Sequence, residues 1–166
     1  ILHYPYQSFR YYIDMLREAA IDPRVTSIQI TLYRVAKKSV VINSLINAAR
    51  NGKKVMVVIE LQARFDEEAN IYWSNRLQEV GAKVIHGVPG LKVHCKLTLI
   101  ERKINKRIEH FAYIGTGNFH EETSKIYCDE GLFTSDKRIT SDVVKIFEFF
   151  DKNYKQHIFN HIILSP

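Results

Sequence analysis

Residues 53–61 read KKVMVVIEL, an almost unbroken apolar run between two segments of helical spacing. Successive side chains of a strand point to opposite faces, so a run of this kind must be covered on both sides. A parallel strand between layers of helix meets that demand. Upstream, VTSIQITLYR (25–34) reads as a strand rich in β-branched residues. Ser39 then caps a helix through VVINSLINAAR, which Asn51-Gly52 stops. Downstream, Phe65, Ala69, Trp73, Leu77 and Val80 recur at three-to-four spacing and predict a helix closed by Gly81, before a short strand AKVIHG (82–87). The order strand–helix–strand–helix–strand predicts an α/β sandwich with a mixed, largely parallel sheet.

Around this unit, Ser8 is expected to cap a first helix through FRYYIDMLREAA, ending near Asp22-Pro23. After it come a strand LKVHCKLTLI (91–100), a charged turn ERKINKRIE and a hairpin partner in HFAYIGTGN. KIYCDEGLFTS (125–135) reads as one more strand. From Ile139, the residues Val143, Ile146, Phe147, Phe150 and Tyr154 mark a long amphipathic helix. The chain has 166 residues, 46% hydrophobic and 25% charged, which suits one domain or one half of a pseudo-symmetric pair. No apolar run approaches the length that spans a bilayer, and no signal peptide is visible. The first residue is Ile1, so the sequence reads as a piece excised from a longer chain. A net charge of +6 favours an anionic partner: phosphate chains, nucleotides, nucleic acid or lipid headgroups. Cys95 and Cys128 have neither disulfide-framework nor metal spacing and read as reduced thiols of a cytosolic protein.

The chemistry concentrates in LKVHCKLT. His94 and Lys96 stand two apart, so on a strand they share a face while Cys95 faces away. A lone strand histidine is more often structural than catalytic, but lysine is almost never buried without a partner. An imidazole and an ammonium together suit phosphoryl transfer: a neutral ring nitrogen attacks phosphorus while the cation neutralises non-bridging oxygens. In GTGN (115–118), Gly115 and Gly117 allow close backbone approach to a phosphate, and Asn118 offers an amide.

H-x-K followed by G-x-G-N resembles the half-site of the phospholipase D superfamily, whose members pair two halves across a pseudo-dyad. The superfamily's usual aspartate, five positions after the lysine, is here Glu101. TLYR (31–34), ARFDEEANI (63–71), GLKVHCKL (90–97), GTGNFH (115–120) and IYCDEGLFT (126–134) together resemble the polyphosphate kinase family, in its first phospholipase D-like catalytic domain. The resemblance implies reversible transfer of the terminal phosphate of ATP to polyphosphate, with His94 as the phosphohistidine nucleophile and Lys96 as the clamp on the moving group. It places Arg34 and Arg64 at the family's magnesium and phosphate site. Since arginine has only donors, both are expected to hold phosphate oxygens beside Mg²⁺ and not the ion itself. Tyr127 is placed against the nucleotide, and Asp129 is favoured over Glu130 as the carboxylate that orients His94.

The resemblance further implies ATP or ADP and polyphosphate as partners, the remaining domains of the same chain, a homo-oligomer of the full-length enzyme and no nucleic acid. It implies a cytoplasmic location, with the periphery of the inner membrane as the alternative. His86 and His120 read as structural or surface residues, and Asp66 to Glu68 as the acidic start of the third helix. Two other functions fit a basic chain with one H-x-K: a phospholipase D-like nuclease that completes its site by homodimerising, and a non-catalytic polyanion-binding module. With a single half-site, the 166 residues alone are expected to have little or no turnover.

Overall fold

The computed structural model describes residues 1–60 and 67–165. Along the chain the elements are β1 (Leu2–Tyr4), α1 (Arg10–Ile21), β2 (Val25–Leu32), α2 (Val40–Arg50), β3 (Lys54–Ile59) and α3 (Glu67–Glu79). They continue with β4 (Lys83–His86), β5 (Lys96–Ile104), β6 (Arg107–Gly115), a 3-10 turn at Thr123–Lys125, β7 (Asp129–Thr134) and α4 (Lys137–Asp151). The seven strands form one sheet in the order β1-β7-β6-β5-β2-β3-β4.

The sandwich is present, but its sheet is not largely parallel. Only β2–β3 and β3–β4 run parallel; β1–β7, β2–β5, β5–β6 and β6–β7 are antiparallel. The chain does not extend the sheet beyond β4. It returns to the other side of β2, and β5 enters there in the reverse direction. A two-residue turn at Asn105-Lys106 then joins β5 to β6, with Asn105 in the left-handed region at φ 55°. A link that short allows only an antiparallel neighbour. The charged residues on either side of Asn105-Lys106 therefore belong to the strands, not to the turn.

The two faces are covered unequally. Tyr12 and Leu16 of α1, Ile42 and Leu45 of α2, and Trp73 and Leu77 of α3 pack on Ile28, Ile30, Leu32, Val57 and Ile59. On the opposite face, Val143, Ile146 and Phe147 of α4 pack on Val58, Leu97, Leu99 and Ala112, with Phe159 and Ile162 of the tail alongside. The continuous apolar reading of residues 55–59 follows from this: Val57 and Ile59 serve one core, Val58 the other.

Ser39 caps α2 as expected, its hydroxyl accepting from the Ile42 N–H at 3.2 Å. Ser8 differs: Phe9 is the N-cap of α1, and the Ser8 hydroxyl accepts from the Arg10 N–H one position out of register. Tyr154 lies beyond the end of α4 and is exposed. Phe65 falls outside the described residues.

Candidate active site

The sheet register brings one end of several strands into line. Leu32 of β2 pairs with Ile59 of β3 and Ile59 with His86 of β4; on the other side Lys96 of β5 pairs with Gly115 of β6, and Gly115 with Gly131 of β7. This rim joins the carboxyl ends of β2, β3, β4 and β6 to the start of β5, and the motif residues gather on it. Arg34 stands just past β2, as expected for a ligand-binding position in an α/β sheet.

The histidine segment is not the start of a strand. Apart from a single bridge from Leu91 to Val88, residues 91–95 have no ladder partner, because the ladder with β2 ends at Thr98 and that with β6 at Lys96. Side chains replace the missing strand. The Thr31 hydroxyl donates to the Cys95 carbonyl at 2.7 Å and accepts from the Leu97 N–H at 3.0 Å. The buried Glu60 carboxylate accepts from the Val93 N–H at 3.2 Å. Held this way, the segment keeps the expected alternation. Val93, Cys95 and Leu97 turn toward α4, while His94 and Lys96 turn to the other side.

Lys96 is only 6% exposed. Its ammonium donates to the His94 carbonyl at 2.5 Å and lies 3.1 Å from His94 Nε2. An ammonium has no lone pair, so Nε2 is the acceptor in this contact, which assigns the ring proton to Nδ1. Burial, and then the charges of Lys96 and Lys92, hold the His94 imidazole below its usual range. Burial likewise lowers Lys96, and the Asp129 carboxylate partly offsets this. Both shifts favour the neutral imidazole beside a buried lysine.

Tyr33 organises the rest. Its ring meets the His94 ring edge-on at 5.0 Å, with Lys92 Nζ at 5.4 Å, Lys96 Nζ at 5.6 Å and the Arg34 guanidinium at 6.0 Å from its centroid. Three cations thus stand around one ring next to the His94 imidazole. A cleft of about 560 Å³ opens beside it, between Glu60 and the Val88–Leu91 turn, with Lys92 on its wall. Neither Tyr33 nor Lys92 was singled out in the sequence, although Lys92, His94 and Lys96 alternate and Tyr33 sits inside TLYR.

Other expectations change. In the structure no hydrogen bond or ion pair joins Asp129 to His94. Its carboxylate accepts from the Thr116 hydroxyl at 2.7 Å, and a Cβ on Gly117 would strike it. The carboxylate therefore faces the GTG loop and reaches the site only as a charge felt by Lys96. Gly115 is required by packing, since a Cβ there would lie 2.8 Å from the Tyr113 ring. Glu101 is spent at the far end of β5, accepting from the Thr26 hydroxyl at 2.5 Å and facing His110 at 3.6 Å. Asn118 is half-buried, and Tyr127 is exposed on the approach to β7. His86 is structural, bonded to the Ser74 hydroxyl at 2.7 Å. Arg64 and Asp66 lie outside the described residues.

Among the described residues no group of three or more His, Cys, Asp and Glu side chains could hold a metal ion. Arg34 supplies donors only. These residues do not form a protein cage for Mg²⁺. No helix is long and apolar enough to cross a membrane, among the described residues.

The family described as polyphosphate kinase C-terminal domain 1 matches residues 1–156. The chain is 52% identical over its whole length to the polyphosphate kinase of Escherichia coli strain K12, and 51% identical to that of Vibrio cholerae serotype O1, covering 24% of each. It thus spans about a quarter of the length of the curated relatives it matches. The crystal structure of polyphosphate kinase from Porphyromonas gingivalis superposes with a TM-score of 0.83 at 42% identity, over 96% of this chain and 27% of that one. A phospholipase D family member, Nuc from Salmonella typhimurium, superposes at 0.67 with 18% identity over 92% of this chain and 90% of that one, which shows a common fold. With its histidine, its lysine and its three-cation ring set on that phospholipase D-like scaffold, the chain belongs to the polyphosphate kinase C-terminal domain 1 family.

Proposed function

We propose that this domain carries the phosphoacceptor half-site of an ATP–polyphosphate phosphotransferase. The observation that carries the reading is the buried Lys96 ammonium, 3.1 Å from His94 Nε2. The Nε2 lone pair attacks the terminal phosphorus of ATP; the new N–P bond forms as the bond to the β-phosphate oxygen breaks, and ADP leaves. A terminal oxygen of polyphosphate then attacks the phosphohistidine, breaking the N–P bond and lengthening the chain by one phosphate. In reverse, His94 takes the terminal phosphate of polyphosphate, and ADP then attacks the phosphohistidine to give ATP. As a phosphate oxygen arrives, Lys96 turns a donor toward it, while Arg34 and Lys92 hold neighbouring oxygens. Tyr127, 61% exposed, is free to lie against the nucleotide. Mg²⁺ would be held with the nucleotide phosphates beside Arg34 and would supply charge neutralisation there.

The relatives' greater length leaves room for the second half-site, further domains and self-association; this chain by itself, with one H-x-K motif, is expected to show no sustained turnover. The test is labelling of the full-length protein with ATP carrying a labelled terminal phosphate. The wild type should take up acid-labile, base-stable label, and His94→Gln should take up none. Label retained in His94→Gln, or phosphodiester cleavage without any labelling from ATP, would overturn the reading in favour of a nuclease half-site.

A further inference from the structure

Asn70 of α3 is 0% exposed, and its side-chain NH₂ donates to two main-chain carbonyls, those of Tyr33 and Glu60, each at 3.0 Å. These carbonyls belong to different segments, the first residue past β2 and the first past β3. Both residues also reach the histidine segment. Tyr33 sets its ring against His94, and Glu60 accepts the Val93 N–H. A primary amide is the side-chain group that fits here: it offers two donors from one nitrogen, while an ionised aspartate offers none. Its Oδ1 is buried with no hydrogen-bond partner among the described residues.

We propose that Asn70 is a positioning residue for the phosphoacceptor, fixing through Tyr33 and Glu60 the angle and depth at which His94 meets the incoming phosphate. The inference rests on His94 being the nucleophile. Because residues 91–95 lack a ladder partner, their position depends on side chains anchored to the ends of β2 and β3, and Asn70 ties those two ends to one helix. Trp73, one turn further along α3, donates to the Ala36 carbonyl at 3.0 Å and holds the same loop at a point more distant from the ring contact. It is the natural control.

The experiment uses the full-length enzyme with Asn70→Ala, Asn70→Asp (equal in size) and Trp73→Phe, each checked for folding by circular dichroism. In whichever Asn70 variant folds, phosphohistidine formation should slow roughly tenfold or more, as expected for a nucleophile displaced by a fraction of an ångström. The KM for ATP should change less than the labelling rate, because Lys92, Lys96 and Arg34 are themselves unaltered. The His94 ring, followed by NMR, should titrate closer to its usual range as its packing loosens, and Trp73→Phe should leave rate and titration unchanged. Wild-type rate and titration in a folded Asn70 variant would overturn the proposal, as would an equal effect of Trp73→Phe or a loss confined to KM. Should the wild type take no label from ATP, the phosphotransfer reading fails while the titration still decides whether Asn70 places the ring.

Discussion

At the scale of single residues, Lys96 is the pivot, because it combines burial with direct contact to His94 Nε2. The His94 imidazole is held below its usual range by burial and by the charges of Lys96 and Lys92. A lowered imidazole stays neutral at pH values where an ordinary histidine is already half protonated, so nucleophilicity persists further into acid. Lys96→Met removes one of the causes. The His94 titration followed by NMR should move up toward 6.5, and the rate of phosphohistidine formation should fall about 100-fold, the usual cost of losing one charged donor to a developing anion. The loss should deepen as pH falls, because the variant's ring protonates first. An unmoved titration would show that the ammonium does not act on the ring. Much of this pair was legible in the sequence, since alternation over Val93 to Leu99 separates the side of Cys95 from that of His94 and Lys96. The partner of Asp129 was not, because a carboxylate's target depends on the path of the GTG loop, which no spacing encodes.

At the scale of elements, one aromatic ring packs against two of the strand positions that line the rim. Tyr113 of β6 lies across both Gly115 and Gly131, and its hydroxyl donates to that of Tyr4 at 3.2 Å. Tyr12, Phe119 and Phe133 pack around it, with ring centroids 4.6, 5.6 and 4.9 Å away. The ring has nowhere to retreat, so Gly131→Ala should destabilise the fold by about 1–3 kcal/mol through overpacking. Chemical denaturation measures this, and Tyr113→Leu in the same chain should recover most of the loss by vacating the space. If Gly131→Ala alone is neutral, the ring does not fill the gap. The helices and the β2–β3–β4 core were readable from periodicity and caps. The antiparallel half of the sheet was not, because the insertion of β5 beside β2 is set by contacts between residues far apart in sequence. The same holds for Thr31, Glu60 and Asn70, ordinary polar residues until distant carbonyls and N–H groups converge on them.

At the scale of the whole molecule, the two faces of the sheet are closed by different means, three helices on one and a single helix with a tail on the other. Asp142 of α4 fastens the tail. It is 0% exposed, accepts from the N–H groups of Asn160, His161 and Ile162 at 2.8, 2.6 and 3.2 Å, and pairs with Lys145 at 2.9 Å. Burial raises its pKa, but the N–H groups of His161 and Asn160 and the Lys145 ammonium outweigh burial and hold it at about 2. A carboxyl lowered on folding stabilises the native state above its unfolded value near 3.8 and loses that contribution as pH falls through about 2. Asp142→Ala should therefore cost on the order of 2–3 kcal/mol at neutral pH and much less at strongly acid pH. It should also speed hydrogen exchange at residues 160–162. Equal losses at both pH values would assign the effect to packing alone.

The contact between Lys96 and His94 Nε2 has a consequence for the idle enzyme. Under the phosphotransfer proposed above, the nitrogen that would react carries an internal cation on its lone pair before substrate arrives. An anion that draws the ammonium toward itself would uncover that lone pair, and in this reading the same anion delivers the phosphorus. The proposed site would then be self-quenching at rest, its activation coupled to the charge of what it transfers.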